Sequence, residues 1–264
     1  LLHIRQEEIS WDGLFLWQFS KAGAIAWQVR GARLNYRQPA SGSLSIDREL
    51  NRNEYYADAF LYFQPGTRLR LYLNGQLGLY DFRYRESRFK DSRTYAGFGG
   101  IEFIPAAGSE RTVFEGNFNI GYMYLDLKNR SLKDASNVVG SGNITLNVTR
   151  WLSLQADYSR DFNVSIYSSL LHYLQTTYGG GLRFTLSRRV TLSNHLGQGL
   201  TKYPFSQEEG LSGPEYKFTT FMTNLGIRIS REWQLNIFGT LNQRKIFPED
   251  RQLKRQFIGF NLIF

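Results

Sequence analysis

The chain has 264 residues, with 32 Lys and Arg against 23 Asp and Glu, a formal net charge of +9, no cysteine and 16% aromatic residues. Its length and unbroken composition point to a single domain over residues 1–264. The lack of cysteine excludes disulfides, thiolate metal sites and thiol nucleophiles. Mean hydropathy is -0.39 and no run approaches the roughly 18 apolar residues of a membrane helix, so strands are the only elements able to cross a bilayer. The cations are scattered rather than gathered on one helix or stripe, which argues against a nucleic-acid partner.

Leu1 is not Met, and no basic and then apolar leader opens the chain, so these residues are expected to follow a cleaved or otherwise preceding N-terminal part. The first strands are expected at 11–19, 25–36 and 55–63. In the next, Leu69, Leu71, Leu73, Gly75, Leu77 and Leu79 share one face, and Arg70, Tyr72, Asn74, Gln76, Gly78 and Tyr80 share the other. The chain returns through Tyr95, Gly97, Gly99, Ile101 and Phe103. The same alternation then places on apolar faces Phe114, Phe118, Ile120, Tyr122 and Tyr124, then Ile144, Leu146 and Val148, then Leu152, Leu154 and Tyr158. Further apolar faces hold Leu174, Tyr178, Leu182 and Leu186, then Val190, Leu192 and Leu196, then Leu225 and Ile227, then Trp233, Leu235, Ile237 and Leu241. The last strand carries Ile258, Phe260, Leu262 and Phe264 on one side. Longer polar segments at 37–53, 81–93, 126–136, 160–171, 199–217 and 243–254 alternate with short turns.

Those short turns repeat. Thr67-Arg68, Thr149-Arg150, Ser187-Arg188 and Ser230-Arg231, with Ser109-Glu110-Arg111 as a looser fifth, each put a small hydroxyl residue and an arginine ahead of an alternating strand. The arginines are 43, 39, 38 and 43 residues apart, which fits two tilted membrane strands of about 9–11 residues with one short and one longer connection. The fold expected is all-β: an antiparallel transmembrane β-barrel of about 12–14 strands, with short periplasmic turns and longer extracellular loops. The pattern yields 13 strands, and an even number would require one more strand before Leu1 or one fewer at the front.

A wall with hydrocarbon on one side and a polar interior on the other sorts the residues. The lipid-facing set includes Leu69, Leu71, Leu73, Leu77, Leu146, Leu235, Phe260 and Phe264. The interior set is dominated by neutral amides: Asn74, Gln76, Asn117, Asn119, Asn143, Asn147, Gln155, Gln175, Asn224, Asn236 and Asn261. Amides both donate and accept, so they can replace water around sugar hydroxyls without imposing a charge filter. Any barrel interior must also be polar, whatever passes through it. His3, His172 and His195 are the only histidines and show no metal-ligand spacing. Ser193 and His195 share a face while Asn194 points away, and no nucleophile elbow accompanies them, so the pair reads as wall polarity and not as catalysis. The run Gly179-Gly180-Gly181 has no following helix N-terminus to bind phosphate and reads as a curvature device. No catalytic residue, metal or cofactor is expected.

Several stretches between residues 52 and 204 resemble an outer-membrane β-barrel porin family encoded with bacterial exopolysaccharide export systems. They are Arg52-Asn53-Glu54-Tyr55-Tyr56-Ala57-Asp58, Asp91-Ser92-Arg93-Thr94-Tyr95-Ala96-Gly97, Thr149-Arg150-Trp151-Leu152-Ser153-Leu154, Tyr158-Ser159-Arg160-Asp161, Ser168-Ser169 and Lys202-Tyr203-Pro204. The resemblance implies a larger barrel in the bacterial outer membrane and passage of a polar solute, with exopolysaccharide export as its specific form. The competing reading is a structural barrel within a multiprotein envelope complex. The expected partners are the lipid bilayer and lipopolysaccharide, with a periplasmic export or envelope complex beside them.

Overall fold

The computed structural model describes residues 5–37, 48, 50–105, 113–129, 134–164, 172–203, 215–230, 232–247 and 251–263. Thirteen strands follow one another: β1 (Arg5–Gln18), β2 (Gly23–Arg37), β3 (Arg52–Phe63), β4 (Leu69–Phe82), β5 (Ser92–Phe103), β6 (Phe114–Leu127), β7 (Ala135–Asn147), β8 (Leu152–Val164), β9 (His172–Thr185), β10 (Val190–Lys202), β11 (Glu215–Arg228), β12 (Gln234–Phe247) and β13 (Arg251–Ile263). They form one sheet in chain order, and every neighbouring pair is antiparallel. This is the up-and-down meander of a β-barrel wall. Arg111, Arg231 and Phe264 lie outside the described residues.

The strands run 12 to 15 residues, longer than the roughly 9–11 that span a bilayer. The surplus lies beyond the hydrocarbon at the end opposite the short turns, where ion pairs link neighbours. Examples are Arg37–Glu7 at 3.0 Å and Lys202–Glu215 at 2.9 Å. Apolar side chains stand exposed on one face along the whole sheet, including Leu73 at 62%, Trp151 at 53% and Phe260 at 80%. Near the turns this face carries Trp17, Phe63, Phe114, Trp151 and Trp233. Some eight residues away along the strands it carries Tyr55, Tyr95, Tyr122 and Tyr158. At about 3.3 Å per residue the two aromatic belts are about 26 Å apart along the strands, which at a strand tilt of about 35–45° is about 20 Å along the membrane normal, close to the height of an outer-membrane apolar band of about 25 Å.

The hydroxyl of the turn repeat has a defined task. Thr149 Oγ1 accepts the backbone N–H groups of Trp151 (3.2 Å) and Leu152 (3.0 Å), and Ser187 Oγ accepts those of Arg189 (3.2 Å) and Val190 (3.1 Å). Ser230 Oγ does the same for Glu232 (3.2 Å) and Trp233 (3.1 Å). In each case the N–H of the hydroxyl residue donates in turn to the carbonyl three residues on, closing the turn from both sides. Ser20 repeats this between β1 and β2, where its Oγ accepts Ala22 N–H at 3.2 Å and Lys21 takes the place of the arginine. Thr67-Arg68 belongs to a different, proline-containing turn, in which the Arg68 carbonyl accepts the Ile104 N–H at 3.0 Å. Thr149→Ala, Ser187→Ala and Ser230→Ala each remove one acceptor from two N–H groups. Each should lower stability by about 0.5–1.5 kcal/mol in urea titrations of vesicle-embedded protein, while Ser187→Thr should match the parent.

Candidate channel interior

Register carries one face around the wall without a break. Asn117 lies opposite Asn143, Asn143 opposite Asp157, Asp157 opposite Gly179, Gly179 opposite Gly197, Gly197 opposite Thr220 and Thr220 opposite Asn242. Asn74 joins this face through Phe98 and Gly121, Asn236 and Asn261 face each other, and Asn147, Gln155, Gln175 and Asn224 fall on it by alternation. Leu69, Leu71, Leu73, Leu77, Leu146, Leu235 and Phe260 all fall on the opposite face.

The inner side chains bond sideways to one another. Asn143 Nδ2 donates to Asn117 Oδ1 at 3.3 Å, Asn119 Nδ2 to Ser141 Oγ at 3.0 Å, Ser153 Oγ to Asn147 Oδ1 at 2.7 Å and Gln234 Nε2 to Asn236 Oδ1 at 2.9 Å. Charges are paired in the same way. Buried Asp58 accepts Arg30 Nη2 at 3.0 Å and Gln76 Nε2 at 2.8 Å, and Arg70 Nη1 meets Glu102 Oε2 at 3.0 Å. A cavity of about 400 Å³ opens against this stretch, between Arg30, Phe60, Tyr72, Asn74, Phe98 and Asn119.

His195 Nε2 lies 2.5 Å from Asp157 Oδ1, a pairing the sequence does not reveal because the residues sit on β10 and β8 with β9 between them. The intervening residue is Gly179, where a Cβ would come within 2.6 Å of the imidazole, so the glycine lets the ring reach across a strand. His195 Nδ1 is buried with no hydrogen-bond partner and Nε2 is taken by Asp157, so the arrangement is a two-residue brace between strands.

At the end opposite the short turns the interior changes character. The segment 81–93, expected as a polar loop, holds a 3₁₀ helix, Arg85–Lys90, with Ser87 and Lys90 fully buried. Phe89 packs on an apolar cluster of Met123, Leu125, Leu127, Ala135, Val139, Phe162 and Leu174. Met123, Leu125, Leu127 and Val139 belong to the inner face, so the interior there combines apolar side chains with the buried Ser87, Lys90, Ser92 and Thr94. Leu174, expected toward lipid, is 5% exposed and lies within this cluster. The physical reason is a split in the wall: pairing of β7 with β8 stops at Gly140 and Arg160, although β7 continues to pair with β6 and β8 with β9. Arg160 covers the edge so released, donating to the Val138 carbonyl (3.0 Å) and Asn137 Oδ1 (2.9 Å). His172 on β9 makes an edge contact with Tyr80 on β4 at 6.3 Å, so strands far apart along the wall meet here.

The family described as "Putative beta-barrel porin 2" matches residues 22–244. No curated protein matches the chain in sequence. Among solved structures it is similar to the ferric yersiniabactin uptake receptor FyuA from Yersinia pestis, at 11% identity and TM-score 0.54, covering 99% of this chain and 47% of that one. It is also similar to the copper transporter OprC, at 9% identity and TM-score 0.56, covering 96% of this chain and 49% of that one. The chain thus spans about half the length of these structures, and at such identities the likeness is one of fold.

The two faces should respond differently to charge. Leu73→Arg, on the apolar face, is expected to cost about 2–4 kcal/mol in vesicle refolding titrations, and Asn117→Arg, on the polar face, about 0–1 kcal/mol. Equal costs would place both residues in water.

Proposed function

We propose that this chain, which belongs to the putative beta-barrel porin 2 family, forms with residues 1–264 one outer-membrane barrel domain that acts as a non-enzymatic conduit for a polar solute, and specifically for an exported polysaccharide. The observation that carries this reading is the inner face itself: amides and hydroxyls from Asn74 to Asn261, among which Asp58 is paired with Arg30 and Glu102 with Arg70, while Asp161 at the cavity accepts the Phe162 backbone N–H. Such a surface exchanges hydrogen bonds with hydroxyl-rich solutes and neither captures nor repels ions strongly. Lipid and lipopolysaccharide would surround the wall, and a periplasmic export complex would deliver the polymer. A second reading, a plugged barrel serving as scaffold in an envelope complex, is favoured by the apolar cluster and buried Lys90 that fill one end of the interior.

Short turns of such barrels face the periplasm, so the Thr149-Arg150 end is the periplasmic end in this reading. A cysteine at position 150 (Arg150→Cys) should stay unmodified by an impermeant maleimide in whole cells, whereas Arg88→Cys should be labelled. Labelling at 150 would invert the orientation. In planar bilayers the protein should conduct with weak ion selectivity, and carboxylates at Asn117, Asn236 and Asn261 should shift preference toward cations, because acidic rings select that way. An electrically silent barrel would favour the scaffold.

A further inference from the structure

We infer that the inner wall formed by β2 to β6 is a glycan-binding track, with Phe60, Tyr72 and Phe98 as platforms for pyranose rings and the Arg30–Asp58–Gln76 cluster as the hydroxyl-binding rim. The inference rests on the conduit reading and adds the place and manner of binding.

The platforms follow from how the rings lie. Tyr72 on β4 lies over Gly100 on β5, where a Cβ would overlap the Cζ, Cε1 and hydroxyl end of the tyrosine ring. Phe98 on β5 lies beside Gly121 on β6, where a Cβ would meet the Gly97 carbonyl oxygen first and then come within 2.5 Å of the phenylalanine Cδ1. Glycine at Gly100 leaves the Tyr72 ring room over the neighbouring strand, and both Tyr72 and Phe98 point inward and line the cavity. Phe60 and Tyr62 add a pair of parallel rings, with centroids 5.6 Å apart and planes 5° apart, and Tyr72 stands 6.0 Å from Tyr62 and 6.4 Å from Phe60.

The polar groups between these rings are held in place. Asp58 is 4% exposed, and its carboxylate is gripped by both Arg30 and Gln76, so its direction is set before any ligand arrives. The guanidinium cancels its charge. Arg30 is also 5.2 Å from the Tyr56 ring, which continues the aromatic series along β3. Tyr56, Asp58, Phe60 and Tyr62 succeed one another on one face of β3, spaced about 7 Å apart and about 20 Å in total.

Ligand chemistry follows from that alternation. An inorganic ion or small charged metabolite would use the charges and leave the ring faces idle. A hydrocarbon would cover the rings and leave Arg30 and Gln76 without their hydration. A pyranose has both requirements at once: C–H groups on its flat faces to lie against aromatic rings, and hydroxyls around its rim to exchange hydrogen bonds with amides and a fixed ion pair. A cavity of about 400 Å³ is of ordinary size for a small-molecule site, and the repeat along β3 lets a chain of sugars lie along the strand.

The test uses maltohexaose and cellohexaose as probes, with binding measured by calorimetry on the purified barrel and by block of current in planar bilayers. The parent should bind at least one probe. Tyr72→Leu and Phe98→Leu should each weaken binding about tenfold, Tyr72→Phe should restore it, and Phe238→Leu, on the far wall, should leave it unchanged. Binding that is lost equally in Phe238→Leu, or kept in both Tyr72→Leu and Phe98→Leu, would overturn the track while conduction still upheld the conduit. Failure of the parent to bind either probe would also overturn it. Calorimetric binding that depends on Tyr72 in a barrel that carries no current would uphold the track and remove the conduit.

Discussion

Within hydrocarbon every backbone N–H and C=O must find a partner in the protein, because no water is present to replace a missing hydrogen bond and each orphan costs several kcal/mol. This requirement explains the strict neighbour-by-neighbour order from β1 to β13, since a meander of hairpins pairs each strand with the next and leaves no long crossover to be solvated. It also explains the turns. Where the ladder reverses, its N–H groups lose their partners, and Ser20, Thr149, Ser187 and Ser230 supply a side-chain oxygen at that point. Where the ladder between β7 and β8 ends early, Arg160 takes the released carbonyl of Val138. Because thirteen is odd, β1 and β13 run in the same direction, and among the described residues each has one hydrogen-bonded neighbour.

The same requirement decided what could be read from the sequence. A spanning strand must alternate, so Leu69 to Leu79 against Arg70 to Tyr80 announces both the strand and its faces, and the hydroxyl-arginine pairs announce the turns. Ser20-Lys21 escaped notice because lysine stands where the other turns have arginine, although the hydrogen bonds depend on the serine. The helix Arg85–Lys90 was hidden for another reason. It has neither the length nor the periodicity of an amphipathic helix, and it is held by tertiary contacts such as Phe89 on the Met123–Leu174 cluster. The burial of Leu174 could not be foreseen either, since it follows from where one ladder stops and not from any local pattern.

Aromatic residues mark the limit of alternation as a guide. Phe60, Tyr72 and Phe98 have the composition of girdle residues, yet they fall on the inner parity, while Tyr55, Tyr95 and Tyr122 fall on the outer one. Parity separates the two sets, but the posture of an inner ring depends on what stands beside it on the next strand. The informative signal is therefore two-dimensional: a glycine opposite an inner aromatic on the next strand, as with Gly100 and Tyr72 or Gly121 and Phe98, or diagonal to an inner ring, as with Gly179 and His195. Gly100 and Gly179, which look in one dimension like aids to curvature, are recesses for the rings of Tyr72 and His195, whereas Gly140 and Gly180 face backbone atoms.

Fold and chemistry are consequently carried by different residues of the same strands. Identities of 9–11% to two much longer outer-membrane structures coexist with TM-scores of 0.54 and 0.56, because a ladder and an apolar outer face can be built from almost any alternating sequence. The outer face needs only to be apolar, so Leu73 or Ile120 could be exchanged for another aliphatic residue at little cost. The inner face has no such freedom where groups interlock: Asp58 needs both Arg30 and Gln76, and His195 needs Asp157 with a glycine between. In the proposed conduit, selectivity would therefore reside in these interlocked positions, since the apolar face is turned away from the interior and the backbone is occupied in the ladder.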